Sequence, residues 1–292
     1  MKNCIFKRFI LFSCITPFLF CGCQNVANAQ TPPPEEEPIY PVLPIPAPRE
    51  LPDLPATEQT PPKPISDIWD VSDVDISYID PSRKLISFTF DDAPSKTFEN
   101  ILAVFAAYNE THETCKATAT FFCNGHFFNA HSLHSLRLAH TLNMELGNHT
   151  FSHPNLSKLS ESEIQSEIDS VDKRLQKIDG KPRHLFRAPF GRIDERVKQI
   201  VQTPIIDWTI DTLDWTGVSA QEIYDVVWTN KYAGAIVLMH DGYENTVDAL
   251  KLLLPDLYAA GYQVASVSAM SKAHACPLRR GGVYIRARKQ KI

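Results

Sequence analysis

The sequence predicts an α/β fold: about seven parallel strands and their helices, closed into a TIM-barrel-like (β/α) barrel. Three observations carry this. Strand-like and helix-like stretches alternate over about 200 residues from position 65. The runs at 85–90 and 235–240 read as buried strands. Polar clusters follow several strands: Asp91-Asp92, His149 with His153, Arg187, Asp211 with Asp214, and His240. The carboxyl ends of parallel strands hold active sites, and in a barrel those ends converge.

Taken in order, 85–90 is an apolar, β-rich strand ending in two carboxylates. The spacing of Phe98, Ile101, Leu102 and Phe105 predicts a helix over 97–108. A second strand follows at 117–123 and a weaker third at 144–149. The clearest helix is 160–178. Ser160 and Glu163 make a capping box, Ile164, Ile168, Val171, Leu175 and Ile178 an apolar stripe, and Gly180 a stop. Short strands at 185–187 and 204–208 alternate with helices at 196–201 and 220–227. The strand at 235–240 precedes a helix at 247–260, which contains Pro255, and a last strand at 262–267.

The chain divides into four parts. Residues 1–22 form a leader, with Lys2, Lys7 and Arg8 ahead of an apolar run at 9–20 that is shorter than a membrane span. Two processing sites compete. Phe20-Cys21-Gly22-Cys23 resembles a lipobox with Cys23 lipidated, whereas Ala27-Asn28-Ala29 resembles an ordinary cleavage site and extends the leader to 1–29. Either places the domain outside the cytoplasm, secreted or anchored as a lipoprotein. Removing the three basic residues takes the formal charge from −5 to −8, which argues against a nucleic-acid partner. Residues 23–64 are expected to be a Pro-rich linker: 31–64 hold 13 of the 22 prolines and no periodic apolar face. The folded domain is expected over 65–275 and a basic tail over 276–292, the whole acting as a monomer. Cys115, Cys123 and Cys276 fall in and just after the domain. The first two flank a strand of about 26 Å, beyond disulfide reach.

The clusters carry chemistry together that none carries alone. Adjacent acids at a buried strand end are tolerated where a cation or proton offsets them; the alternative is a polar strand end with Asp92 or Ser95 capping the next helix. Asn148 to Pro154 read N-H-T-F-S-H-P, with His149 and His153 four apart. Thr150 replaces the Glu of a zinc-protease helix, and Pro154 disfavours helix at His153. Asp92, His149 and His153 would offer one oxygen and two nitrogens and leave positions open, as catalytic zinc or non-haem Fe(II) requires. Arg187 emerges from an apolar run and needs a carboxylate. Asp214 offers His240 a partner that orients and charges it.

The stretches T-F-D-D, H-T-F-S-H, R-A-P-F-G, D-T-L-D-W and L-M-H, in that order, resemble the five motifs of polysaccharide deacetylases, the NodB homology domain of carbohydrate esterase family 4. The resemblance covers roughly 86–267, nearly the whole domain. It implies a distorted (β/α) barrel and a divalent metal ion, zinc first and cobalt or another ion next. It also implies roles: Asp91 as general base, Asp92, His149 and His153 as metal ligands, and Arg187 orienting Asp91. Phe190 supplies a backbone N–H to the oxyanion, Asp214 supports His240 as general acid, and Trp215 and Leu238 line the acetyl-methyl pocket. Two departures stand out. Ala93 occupies a position where the family usually has Gly, and Phe190 one where Tyr is usual.

The function this implies is removal of acetyl groups from N-acetylated polysaccharide. The leader and spacer suit a cell-wall substrate, so peptidoglycan N-acetylglucosamine is expected ahead of chitin oligomers, exopolysaccharide or O-acetyl xylan. A non-catalytic carbohydrate-binding relic would be expected to lack one of Asp91, Asp92, His149, His153 and His240, and all five are present. An Fe(II) oxygenase would leave Asp91, Arg187 and His240 without roles.

Overall fold

The computed structural model describes residues 67–287. The leader, the Pro-rich linker and the last five residues, with the lipidation and cleavage sites, lie outside the described residues. In chain order the elements are β1 (Lys84–Ala93), α1 (Phe98–Glu110), β2 (Thr120–Cys123), α2 (Ala130–Thr141), β3 (Glu145–Asn148), α3 (Glu161–Asp179), α4 (Glu195–Ile200) and β4 (Ile205–Ile206). There follow β5 (Ile210–Asp211), α5 (Ala220–Asn230), β6 (Ile236–His240), α6 (Glu244–Ala259), β7 (Tyr262–Val264), α7 (Val267–Ala273) and β8 (Val283–Tyr284). No helix among the described residues is long and apolar enough to cross a membrane.

β1 is the centre of the sheet, whose order is β3-β2-β1-β6-β5, with every strand pair parallel. β7 pairs the first part of β1 and β2 its last part. Single bridges complete the ring. Phe186 joins β3 to β4, β4 pairs β8, and Ala235 meets Arg286 in an antiparallel bridge. The result is a distorted barrel, several of whose staves are one or two residues long.

The period-2 alternation of strands sorts side chains into two layers. From β1, Ile86, Phe88 and Phe90 point outward into the main core with α1, α2, α3, α5 and α6. Leu85 points inward and packs with Phe122, Ile206, Ile236 and Met270. On β6, Val237 and Met239 are outward and Ile236 inward. The inward rows therefore continue to Asp91 on β1 and to Leu238 and His240 on β6.

Most elements match the sequence reading, α3 closely: Ser160 caps it, Glu163 completes the box, and Gly180 ends it at φ 76°. Four differences have physical reasons. α2 lacks a readable stripe because its buried face is Ser132, Ser135, Leu136 and Ala139. The expected strand at 185–187 is reduced to the bridges of Phe186. The strand expected to run to 267 stops at Val264, because Ser266 caps α7. The expected tail is folded in as far as Ala287: β8 pairs β4, and Leu278 and Ala287 are buried in the inner cluster. Cys115, Cys123 and Cys276 are free thiols.

Candidate active site

Asp91 and Asp92 share an irregularity in β1. Phe90 pairs Phe121 and Ala93 pairs Cys123, so the two acids stand opposite one residue of β2. Adjacent side chains on a regular strand point to opposite faces. Here a bulge with Asp92 at φ 61° re-aims the second carboxylate. Asp91 is inward and buried, and Asp92 is partly exposed. Ala93 has no left-handed φ and its methyl packs in the main core, so its backbone does not call for glycine.

Arg187 is 1% exposed and fixed on every side. Its Nη1 donates to Asp91 Oδ1 and to Thr89 Oγ1, both at 2.8 Å. Its Nε donates to the Ile206 carbonyl (2.9 Å) and its Nη2 to that of Asp207 (3.2 Å). The guanidinium lies 4.2 Å from the Phe122 ring centroid. Burial works against ionisation of Asp91, but the Arg187 charge, with His149 and His240, outweighs it and holds the carboxyl below its ordinary value.

One side-chain donor atom each from Asp92, His149 and His153 lie within 4.8 Å of one another. His149 follows β3, and its Nδ1 lies 2.8 Å from the Arg187 carbonyl oxygen. A carbonyl only accepts, so Nδ1 donates to it, and Nε2 is the ring nitrogen left to meet an ion. His153 Nε2 is 3.9 Å from Asp92 Oδ1. The turn between the histidines places Thr150 (φ 68°) and His153 (φ 56°) in left-handed backbone. Pro154 thus marks a turn after a strand, as expected. Two nitrogens and one carboxylate oxygen, with one imidazole tautomer fixed by its backbone partner, fit a divalent transition-metal ion.

His240 is the register partner of Asp91 across β1 and β6, so both project from neighbouring inward rows. Asp214 is 0% exposed and takes four donors: His240 N (2.7 Å), His240 Nδ1 (2.8 Å), Thr246 Oγ1 (2.7 Å) and Trp215 N (3.0 Å). Burial disfavours charge on His240, yet the Asp214 hydrogen bond and the Asp91 charge outweigh it and raise its pKa. With Nδ1 bound to Asp214, Nε2 is the nitrogen left to exchange a proton.

The remaining predicted residues lie around this group. Phe190 is 62% exposed at φ 60°, its ring edge-on to His153 with centroids 4.7 Å apart. Trp215 is 53% exposed, and Leu238 is buried two residues before His240 on the same row. Cavities of about 510 Å³ beside Trp69 and Tyr78, and about 690 Å³ between α1 and α6, contain none of the predicted site residues. Two carboxylates escaped the sequence reading. Asp241 is buried beside His240, where an acid between a strand-end histidine and Gly242 was a signal. Glu167 reaches the 150–153 turn from α3, and no sequence pattern marks it.

Comparison with known proteins places this geometry. The family model described as polysaccharide deacetylase matches residues 78–204. The peptidoglycan-N-acetylmuramic acid deacetylase of Bacillus subtilis is 31% identical over 195 residues, 66% of this chain and 40% of that protein's length. A peptidoglycan-N-acetylglucosamine deacetylase of Bacillus cereus is 33% identical over 196 residues, 64% of this chain and 88% of the relative. Among solved structures, a peptidoglycan deacetylase from Bacillus subtilis superposes with a TM-score of 0.62 at 30% identity, covering 68% of this chain and 94% of that one. The chain belongs to the polysaccharide deacetylase family.

Proposed function

We propose that this chain is a metal-dependent hydrolase that removes the acetyl group from N-acetylated polysaccharide outside the cytoplasm, with peptidoglycan N-acetylglucosamine as its substrate. The observation that carries the reading is the pairing of Asp91 with His240 across β1 and β6, beside the Asp92, His149 and His153 donors. The names of the relatives support a cell-wall glycan. The exposed rims at Phe190 and Trp215 suit a polymer that must lie across the site.

Asp92, His149 and His153 would hold the ion. When bound, zinc or a similar divalent ion polarises the acetyl carbonyl and makes water more acidic. Asp91, kept ionised and oriented by Arg187, takes a proton from the attacking water. The Phe190 backbone N–H donates to the carbonyl oxygen as it gains charge. His240, charged through Asp214, gives a proton from Nε2 to the amine nitrogen as the C–N bond breaks. Acetate and the free amine leave. Trp215 and Leu238 enclose the methyl group.

The deciding assay is acetate release from peptidoglycan, chitin oligomers and acetylated xylan, with and without a chelator. Chelator-sensitive release from peptidoglycan is expected. Binding to these glycans without acetate release, with zinc supplied, would mean a non-catalytic relic. Faster release from xylan would make the chain an O-acetyl esterase.

A further inference from the structure

Seven non-glycine residues have left-handed backbone among the described residues, and five of them border the candidate site: Asp92, Thr150, His153, Phe190 and Leu213. Residues with side chains hold such conformations only where their surroundings over-determine them. Two of the five are candidate metal ligands. We propose that Asp241 and Glu167, which are not in the ligand set, are positioning residues that hold the two ligand-bearing turns in these conformations and so set the affinity for the ion. The inference rests on the metal reading above.

Asp241 staples the first turn at both ends. Its backbone N–H donates to the Asp91 carbonyl (2.9 Å). Its carboxylate accepts from Ser95 N (2.5 Å), Thr97 Oγ1 (2.6 Å) and Gly242 N (2.7 Å). Asp92 lies between these attachments. No cation is among these partners of the buried carboxylate, which would ordinarily be a costly arrangement. Its donors belong to the segments that lead into α1 and α6. A neutral residue would be cheaper to bury if filling the space were all this position required.

Glu167 treats the second turn alike from outside. Its Oε2 accepts from Phe151 N (2.8 Å) and Ser152 N (2.7 Å), and its Oε1 from Ser152 Oγ (2.7 Å). Phe151 and Ser152 are the residues between the two left-handed positions, Thr150 and His153. One carboxylate thus satisfies the two central backbone donors, Phe151 N and Ser152 N, of the turn that carries the second histidine.

The test is zinc affinity, by competition with a chromogenic chelator, for the full chain and for Asp241→Asn and Glu167→Gln. Melting temperatures are taken with and without zinc. Each amide keeps the size of the side chain and sets an N–H₂ group against a donor. Each variant should bind zinc about 10–100-fold more weakly and show a smaller zinc-induced rise in melting temperature. Wild-type affinity in both, with only the zinc-free melting temperature lowered, would overturn the inference and leave them structural. If Asp241→Asn does not fold, Glu167→Gln decides, because its side chain is half-buried and its carboxylate bonds to Phe151 and Ser152 of the turn. A wild-type chain that binds no zinc would refute the metal reading, and this inference with it.

Discussion

Asp214→Asn tests the division of labour in the proposed mechanism. The wild-type carboxylate is fully buried and accepts four N–H or O–H bonds, two on each oxygen. An amide keeps one oxygen. If that oxygen holds His240 N and Thr246 Oγ1, the N–H₂ group faces His240 Nδ1 and Trp215 N. The imidazole must then carry its single proton on Nε2, uncharged. Turning an acceptor into a donor at a buried site should cost about 1–3 kcal/mol of stability. Loss of a charged general acid should cost about 10²–10⁴-fold in turnover of the amide. The assay compares acetate release from an N-acetylated glycan with hydrolysis of an aryl acetate, with zinc content measured for both proteins. The aryloxide leaves without a proton, so the ester rate should fall much less, and zinc should stay bound. His240→Ala should show the same split. The pH dependence adds a sign. His240 is raised above 6.5, so amide turnover should fall only as pH rises through a higher value, and Asp214→Asn should move that fall to lower pH. Equal losses on ester and amide, or an undiminished amide rate, would remove the Asp214–His240 pair from the acid role.

Asp91→Asn should keep its zinc, because Asp92 is the candidate ligand, and lose about 10²–10⁴-fold in turnover; metal loss in this variant would make Asp91 a ligand. Cys23→Ser should release the protein from membranes if Cys23 is lipidated, and mass spectrometry of a mature chain beginning at Gln30 with no acyl group would show ordinary cleavage instead. Away from the site, His184 sits between Asp172 (2.9 Å) and Asp179 (3.1 Å). Burial opposes its charge, but these partners outweigh burial and raise its pKa above 6.5. The pair therefore adds stability that is fully present below about pH 6.5 and lost as pH rises through the folded-state value. Melting temperature should fall as pH rises above about 6.5, and His184→Gln should flatten that slope; an unchanged slope would show His184 to be neutral in the folded protein.

Much of the site was legible in the sequence because its residues sit at the ends of strands. Asp91-Asp92, Arg187 and His240 each follow apolar residues, and near-neighbour patterns reveal both the apolar stretch and its polar end, whereas His149 was marked by its spacing from His153. The capping box of α3 was legible for the same reason, since all its parts lie within four residues. Local pattern is blind to which strands adjoin. No local pattern pairs Arg187 with Asp91 across 96 positions, a partnership that only the family resemblance implied, or aligns Asp91 with His240. The bulge that turns Asp92 toward the histidines depends on the register of β1 against β2. α2 was hidden because serines face the core, where hydrogen bonds replace apolar burial. β8 was hidden because two residues have no period, and only contact with β4 makes them a strand that helps close the barrel. Glu167 and the 150–153 turn meet only because α3 packs beside β3, a decision of tertiary packing that no spacing encodes.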